Sequence, residues 1–381
     1  MYRLTNGRTT IDGRIETFQS LFIIDGKIQD SVEPALNSDP SIIKIDLAGD
    51  IILPGFIDIQ VNGGGGYLFN HTPTVEAIKH IGAAHRRFGT TGFLPTLISD
   101  DLSVIDHGMR AVETAIAAKV PGVLGIHIEG PFLNPSRKGI HPVDKITAMT
   151  DQAIDLLSSL KTGRTLVTLA PEMVSDRQIE RLVAAGIIVS LGHSDASAEQ
   201  ATRALVAGAT GFTHLYNAMS QLTGREPGMV GAALAHTDSF AGIIVDTHHV
   251  DKVALQAAIN AKGSKRMMLV SDAMPTVGST TSSFSLMGTP ITASAGKLTG
   301  PDGTLAGSHL DMATAVRNAR DWLGLTLSEA STMASATPAE FLGLGQTLCS
   351  AAIGYNANLV RLNDKLEVKA TWINGDMEAY V

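Results

Sequence analysis

The 381-residue sequence predicts an α/β fold, a closed barrel of eight parallel strands with a small β-domain built from both ends of the chain. Two observations predict it. Eight short apolar runs recur through the middle with helix-periodic stretches between most of them, while both ends of the chain alternate apolar and polar residues. A doubly wound open sheet is the rival arrangement. The count of eight favours the barrel, and either fold places its site at strand C-termini.

Taken in order, the first fifty residues read as short strands and tight turns. Asp25-Gly26 lies between two apolar runs, the strongest short hairpin signal. The eight runs follow at Ile51–Val61, Thr91–Ile98, Gly122–Glu129, Thr165–Ala170, Ile187–Leu191, Gly211–Leu215, Ala241–Val245 and Met267–Val270. Between them, VEAIKHIGAAHRRF, DQAIDLLSSLK, AEQATRALVAG and DKVALQAAINA repeat apolar positions at helical spacing, several ending in a glycine stop. Asn62 is followed by four glycines, Gly63 to Gly66, but this loop lacks the Lys-Ser/Thr ending of a P-loop. The closing stretch ANLVRLNDKLEVKATWINGDMEAYV alternates and turns at Asn363-Asp364 and Asn374-Gly375. The expected division is residues 1–52 plus 346–381 for the small domain and 53–345 for the barrel.

Composition removes several function classes. With 44% hydrophobic and 17% charged residues, the chain is not intrinsically disordered. A net charge of −8 argues against a broad electrostatic grip on nucleic acid. No run of about 18 apolar residues occurs, so no membrane partner is expected. MYRLTNGRTT lacks the charged-then-apolar pattern of a secretory signal. Cys349, the single cysteine, cannot form an internal disulfide or a thiolate zinc cluster. The expectation is a cytoplasmic protein in which any metal is held by histidine and carboxylate.

Chemistry collects where the apolar runs end. Run one ends in Asp58-Ile59-Gln60-Val61-Asn62, run three in His127-Ile128-Glu129, run five in Gly192-His193-Ser194, and run six in Thr213-His214. Run seven ends in Asp246-Thr247-His248-His249 and run eight in Ser271-Asp272. Residues two apart share a strand face, so His127 with Glu129, and Gln60 with Asn62, can point inward together. Glu129, His193 and His214 make a plausible metal site. Two imidazoles and one carboxylate leave a divalent ion such as Zn²⁺ a net positive charge and an open position for water. For each residue alone, a hydrogen-bonded structural role is the alternative; three at separate strand ends favour a shared ion. Asp272 beside that ion would be a proton acceptor and then a donor, its alternative being a helix cap or turn aspartate.

Motifs in family order extend this reading. They are Asp58-Ile59-Gln60-Val61-Asn62-Gly63, His127-Ile128-Glu129-Gly130-Pro131-Phe132, Leu191-Gly192-His193-Ser194, Thr213-His214-Leu215-Tyr216-Asn217-Ala218-Met219 and Gly224-Arg225-Glu226-Pro227-Gly228. His249-Val250-Asp251, Ser271-Asp272-Ala273 and Gly303-Thr304-Leu305-Ala306-Gly307-Ser308 complete the set. Together they resemble the N-acetylglucosamine-6-phosphate deacetylase family of the amidohydrolase superfamily, over nearly the whole chain.

The resemblance implies a metal-bearing (β/α)8 TIM-type barrel, a small β-sandwich domain from both termini, and usually a homodimer. It implies hydrolysis of the N-acetyl group of a phosphorylated amino sugar to give glucosamine 6-phosphate and acetate, with one divalent metal ion per subunit. By position, Glu129, His193 and His214 are the ligands and Asp272 the general acid/base. His141 would help position or polarise the acetyl carbonyl. Asn217, Ala218, Arg225 and His249 would bind sugar and phosphate, with Leu305, Ala306 and Gly307 at the pocket rim.

One departure stands out. Many amidohydrolases carry His-x-His after the first barrel strand, where this chain has Gln60-Val61-Asn62. Amides are poor ligands for a transition metal, so the second metal position is expected to be lost. Zn²⁺ suits the remaining donors, and Fe²⁺ or Co²⁺ would also bind. His248 is a smaller departure that could face the sugar C4 hydroxyl, the atom that separates the glucosamine substrate from its galactosamine epimer; His309 is another. A non-catalytic sugar-phosphate sensor is the expectation from another class, and the intact set of ligands with Asp272 argues against it.

Overall fold

The computed structural model describes residues 1–11, 14–29, 40–348 and 350–380; Cys349 lies outside them. Eight parallel strands form the expected barrel. They are β1 (Phe56–Val61), β2 (Thr90–Ile98), β3 (Gly125–Glu129), β4 (Arg164–Leu169), β5 (Ile188–Leu191), β6 (Gly211–Phe212), β7 (Phe240–Ile243) and β8 (Met267–Leu269), each paired with the next in sequence order. The ring closes where Val61 bridges Ala273, just beyond β8. There the Asn62 and Gly63 amides both donate to the Ala273 carbonyl, at 2.9 and 3.0 Å.

Continuous apolar runs suit strands buried on both faces, and almost every strand residue is buried. The helices begin where polar caps stop the strand pattern. Thr74 caps the Val75–Arg86 helix, and capping boxes Ser175/Gln178 and Ser197/Gln200 open Asp176–Ala184 and Ala198–Val206. Strands and helices share one large apolar core, which includes Leu94, Ile128, Val167, Val189, Ile243 and Leu269.

The chain ends form a second sheet of eight strands. Its spine pairs Tyr2–Ile11 with Arg14–Ile24, Ile51–Pro54 with Leu359–Leu362, and the latter with Val368–Ile373. The small β-domain, implied as a sandwich, is thus one hydrogen-bonded sheet, and it has a core of its own around Leu4, Ile23, Ile52, Leu359 and Trp372. The run Ile51–Val61 is not one strand, as the sequence reading had it. It breaks at Gly55 and gives Ile51–Pro54 to the terminal sheet and Phe56–Val61 to the barrel. Gly55 is required there, since a Cβ would collide with the Thr91 side chain.

A third β-element was not anticipated. Between β8 and its helix Met312–Leu323, the strands Ser283–Leu286, Thr289–Ser294, Lys297–Thr299 and Leu305–Ser308 form a four-stranded antiparallel sheet. Its apolar cluster of Leu286, Ile291, Leu298 and Ala306 takes in Ile98 from β2 and Met274 from the loop after β8. Ile140 packs against the same cluster.

Candidate active site

Barrel topology brings distant strand ends to one mouth. Glu129 ends β3, His193 follows β5, His214 follows β6 and Asp272 follows β8. Three of them turn the chain sharply: His193, His214 and Asp272 adopt φ of 50°, 33° and 52°, a left-handed region that disfavours side chains bearing a Cβ. Such backbone persists where surrounding bonds over-determine it, and it clusters at sites of function.

Glu129, His193 and His214 are buried and converge. His214 Nε2 stands 2.9 Å and His193 Nε2 3.2 Å from Glu129 Oε1, and the two imidazole nitrogens are 3.0 Å apart. The Arg137 carbonyl accepts a 2.9 Å hydrogen bond from His193 Nδ1, which leaves the Nε2 lone pair facing its neighbours. Lone pairs and a carboxylate crowded in this way form a donor set that a cation satisfies. The group can hold a metal ion. Burial alone would push the Glu129 carboxyl up, but the two histidines together outweigh it and hold it well below its usual range. His214 rises for the reciprocal reason, its Glu129 partner overcoming burial.

Asp272 faces the same cluster. Burial first, and the Glu129 charge second, push its carboxyl up to about 7. Asn62 Nδ2 donates to Asp272 Oδ1 at 2.6 Å, and Gln60 Nε2 donates to Glu129 Oε1 at 3.1 Å. Both amides at the His-x-His position therefore hold carboxylates.

His141 closes one side, its ring 4.4 Å from that of His193. The Ser99 backbone N–H, which can only donate, reaches His141 Nδ1 at 3.2 Å, with Ser99 Oγ 2.8 Å away. Nδ1 therefore accepts and the neutral ring carries its proton on Nε2. Burial, then the His193 charge, hold His141 well below the ordinary histidine range.

These side chains line one cavity of 340 Å³. Comparisons with known proteins bear on it. The amidohydrolase family matches residues 51–377. The chain belongs to the amidohydrolase family. It is 48% identical over 331 residues to an N-acetylgalactosamine-6-phosphate deacetylase of Shewanella sp. (strain ANA-3), covering 87% of this chain and 84% of that one. It is 35% identical to the N-acetylglucosamine-6-phosphate deacetylase of Haemophilus influenzae, with 93% of each covered. The crystal structure of N-acetylglucosamine-6-phosphate deacetylase from Pasteurella multocida superposes with a TM-score of 0.94 at 33% identity, over the full length of both chains.

In this amidohydrolase the other expected residues divide. Asn217, Ala218, His249, Leu305 and Gly307 line the cavity with the metal-binding group. Asn217 donates its amide to the His214 and Leu215 carbonyls, which leaves Oδ1 for a ligand. His249 Nδ1 is held 2.7 Å from Asp246 Oδ2. Three residues sit elsewhere. Arg225 is exposed on the Gln221–Pro227 loop and does not line the cavity, because that loop is turned outward. The Ala306 side chain points into the apolar cluster of the inserted sheet. His248 is exposed and lines a neighbouring cavity with Asp246, His309 and Trp322, because Thr247 at φ 65° turns the chain outward between the two faces. It does not line the cavity that holds the metal-binding group.

Sequence reading assigned no role to four supporting groups of this amidohydrolase site. Ser99 and Glu172 follow β2 and β4 and obey the same strand-end rule that singled out the others. Glu172 accepts hydrogen bonds from Asn134, Ser194 and the Asp195 amide, fixing the turn that carries His193. Asp58 accepts from the Ser271 hydroxyl and, at 3.2 Å, from the Ser271 amide, one residue before Asp272. Arg137 acts through a backbone carbonyl, which side-chain reasoning does not register.

Proposed function

We propose that this chain is a metal-dependent deacetylase that converts N-acetyl-D-glucosamine 6-phosphate and water into D-glucosamine 6-phosphate and acetate. The observation that carries the reading is one cavity lined by the Glu129–His193–His214 group, the raised carboxyl of Asp272 and the neutral His141. The named activities of the relatives point to the same chemistry. Glu129 Oε1 and the two Nε2 atoms would hold the ion, Zn²⁺ by ligand type, with Fe²⁺ or Co²⁺ also suited. When bound, a divalent cation supplies Lewis acidity that polarises a carbonyl and lowers the pKa of water to about 7.

The protein groups perform the rest. An amide has a poor leaving group, so it needs a proton acceptor at the attacking water and a donor at the departing nitrogen. Asp272 serves as the first in its carboxylate form and as the second once protonated. His141 donates from Nε2 to the acetyl oxygen as charge develops there. Asn217 Oδ1, the Ala218 backbone and His249 bind the sugar phosphate, with Leu305 and Gly307 at the rim. Arg225 is exposed outside the cavity, so as a phosphate ligand it would have to serve a neighbouring subunit of a homodimer. We assign residues 55–345 to the catalytic unit and 1–54 plus 346–381 to the small domain, the boundary falling at Gly55 between the two sheets, and we place the enzyme in the cytoplasm. Among the described residues, no helix is long and apolar enough to cross a membrane.

The galactosamine epimer is the second reading, favoured by the 48% identical relative. Acetate release from both 6-phosphates and from unphosphorylated N-acetylglucosamine, with and without chelator, tests both. The expected result is metal-dependent turnover of a 6-phosphate, with the larger kcat/KM naming the substrate. Asp272→Asn should lower kcat by roughly 10²–10⁴-fold, and Glu129→Ala should lose bound metal on elemental analysis. Near-parental turnover in Asp272→Asn would remove that residue from the mechanism.

A further inference from the structure

Asn62 stands where many amidohydrolases carry a metal-binding histidine, yet its surroundings give it a different task. It is 1% exposed and lies at the seam that closes the barrel. Its backbone N–H donates to the Ala273 carbonyl at 2.9 Å, while its side-chain Nδ2 donates to Asp272 Oδ1 at 2.6 Å. One residue thus grips two consecutive positions across the seam.

The orientation of the amide is forced, since reversing it would set Asn62 Oδ1 against a carboxylate oxygen. The Asp272 backbone is fixed from the other side as well. Its carbonyl accepts from the Ser308 amide at 2.8 Å, and the Ser271 hydroxyl before it donates to Asp58. With the main chain pinned at φ 52°, the remaining freedom of Asp272 is rotation about its side-chain bonds, and the Asn62 bond restrains that rotation.

We propose that Asn62 is a positioning residue that aims the Asp272 carboxylate. It occupies Oδ1 throughout the cycle, so that the proton from water arrives at Oδ2 and leaves from Oδ2. The bond persists in both protonation states, because a carboxylic acid protonated on Oδ2 still accepts at Oδ1. On this view the change from histidine to asparagine at the seam converts a metal position into a proton-transfer guide. The inference rests on the deacetylase reading.

The test is steady-state kinetics on the preferred 6-phosphate with metal-loaded parent enzyme, Asn62→Ala, Asn62→Leu, Asp272→Asn and the Asn62→Ala/Asp272→Asn double variant, with bound metal measured in each. Misaiming a reacting group by about 1 Å costs on the order of 100-fold, so kcat should fall roughly that far in both Asn62 single variants. KM and metal content should stay close to parental. In the Asp272→Asn background, the same Asn62→Ala change should alter kcat by less than about twofold, since a residue acting through Asp272 has nothing left to aim. Asn62→Leu keeps most of the side-chain volume without an N–H donor, so it decides the matter where the alanine variant folds poorly.

Near-parental kcat in Asn62→Leu, an equal loss in both backgrounds, or a loss carried by KM overturns the assignment. A parent enzyme that releases no acetate from either epimer overturns the deacetylase reading and this assignment with it. An active parent with indifferent Asn62 variants overturns the assignment alone.

Discussion

The carboxyl of Asp272 has to be ionised to take a proton from water, and its surroundings oppose ionisation. Burial and the nearby Glu129 charge raise it to about 7, and a cation bound at the neighbouring ligands pulls it back down. The acid form is the inactive one for attack, so kcat/KM of the metal-loaded enzyme should rise with pH as Asp272 deprotonates and level off below about pH 7, since the cation lowers its carboxyl. Replacing the native ion by one of weaker Lewis acidity should move the acid limb upward. A pH profile between about 5 and 9 on the metal-loaded enzyme checks this. A rate that climbs as pH falls through that range would contradict the assigned base. At this scale much was legible in the sequence. Glu129, His193, His214 and Asp272 are ionisable residues directly after apolar runs, and a barrel gathers such positions. The exposure of Arg225 and the outward face of His248 depend on loop backbone, which composition and spacing do not encode.

At the level of elements, the inserted sheet does what the barrel alone does not. Its apolar cluster joins Ile98, Ile140 and Met274, which are neighbours in sequence of Ser99, His141 and Asp272. Packing within the insert therefore sets the loops that carry catalytic groups. Leu298 is fully buried there, and Leu298→Ala should loosen the insert by about 2–5 kcal/mol. We expect kcat/KM to fall about tenfold, a loss of roughly 1.4 kcal/mol in transition-state stabilisation, with faster hydrogen exchange across residues 283–308. Faster exchange with unchanged kinetics would uncouple the insert from catalysis. The element escaped sequence reading for a physical reason. SFSLMGTPITASAGKLTG is rich in Ser, Thr and Gly, its strands span three to six residues, and half its surface is exposed, so the apolar signal is diluted. The eight barrel runs survived that dilution because burial on both faces makes them nearly all apolar.

For the molecule as a whole, the terminal sheet is a stability element at a distance from the chemistry. Trp372 is fully buried in its core and meets Tyr2 edge-on at 6.5 Å. Trp372→Ala should destabilise the protein by about 3–5 kcal/mol and lower the melting temperature, while metal content and kcat at 25 °C stay parental. Loss of kcat in the still-folded variant would mean that the two cores are coupled. The alternating pattern at both ends announced this sheet, but the place where it joins the barrel was hidden. Ile51–Ile57 runs apolar across the join, and only Pro54-Gly55 marks the passage from one sheet to the other.

That join shapes the life of the nascent polypeptide. Ile51–Pro54 pairs along one edge with Tyr2–Ile11 and along the other with Leu359–Leu362, near the opposite end of the chain. At about 5–20 residues per second, a ribosome needs on the order of tens of seconds to deliver the second segment after the first. Throughout that interval an apolar strand presents an unsatisfied edge, a template for other growing chains. Yield during expression should therefore respond to slower translation and to chaperones that cover this edge, more than to any change in the finished fold.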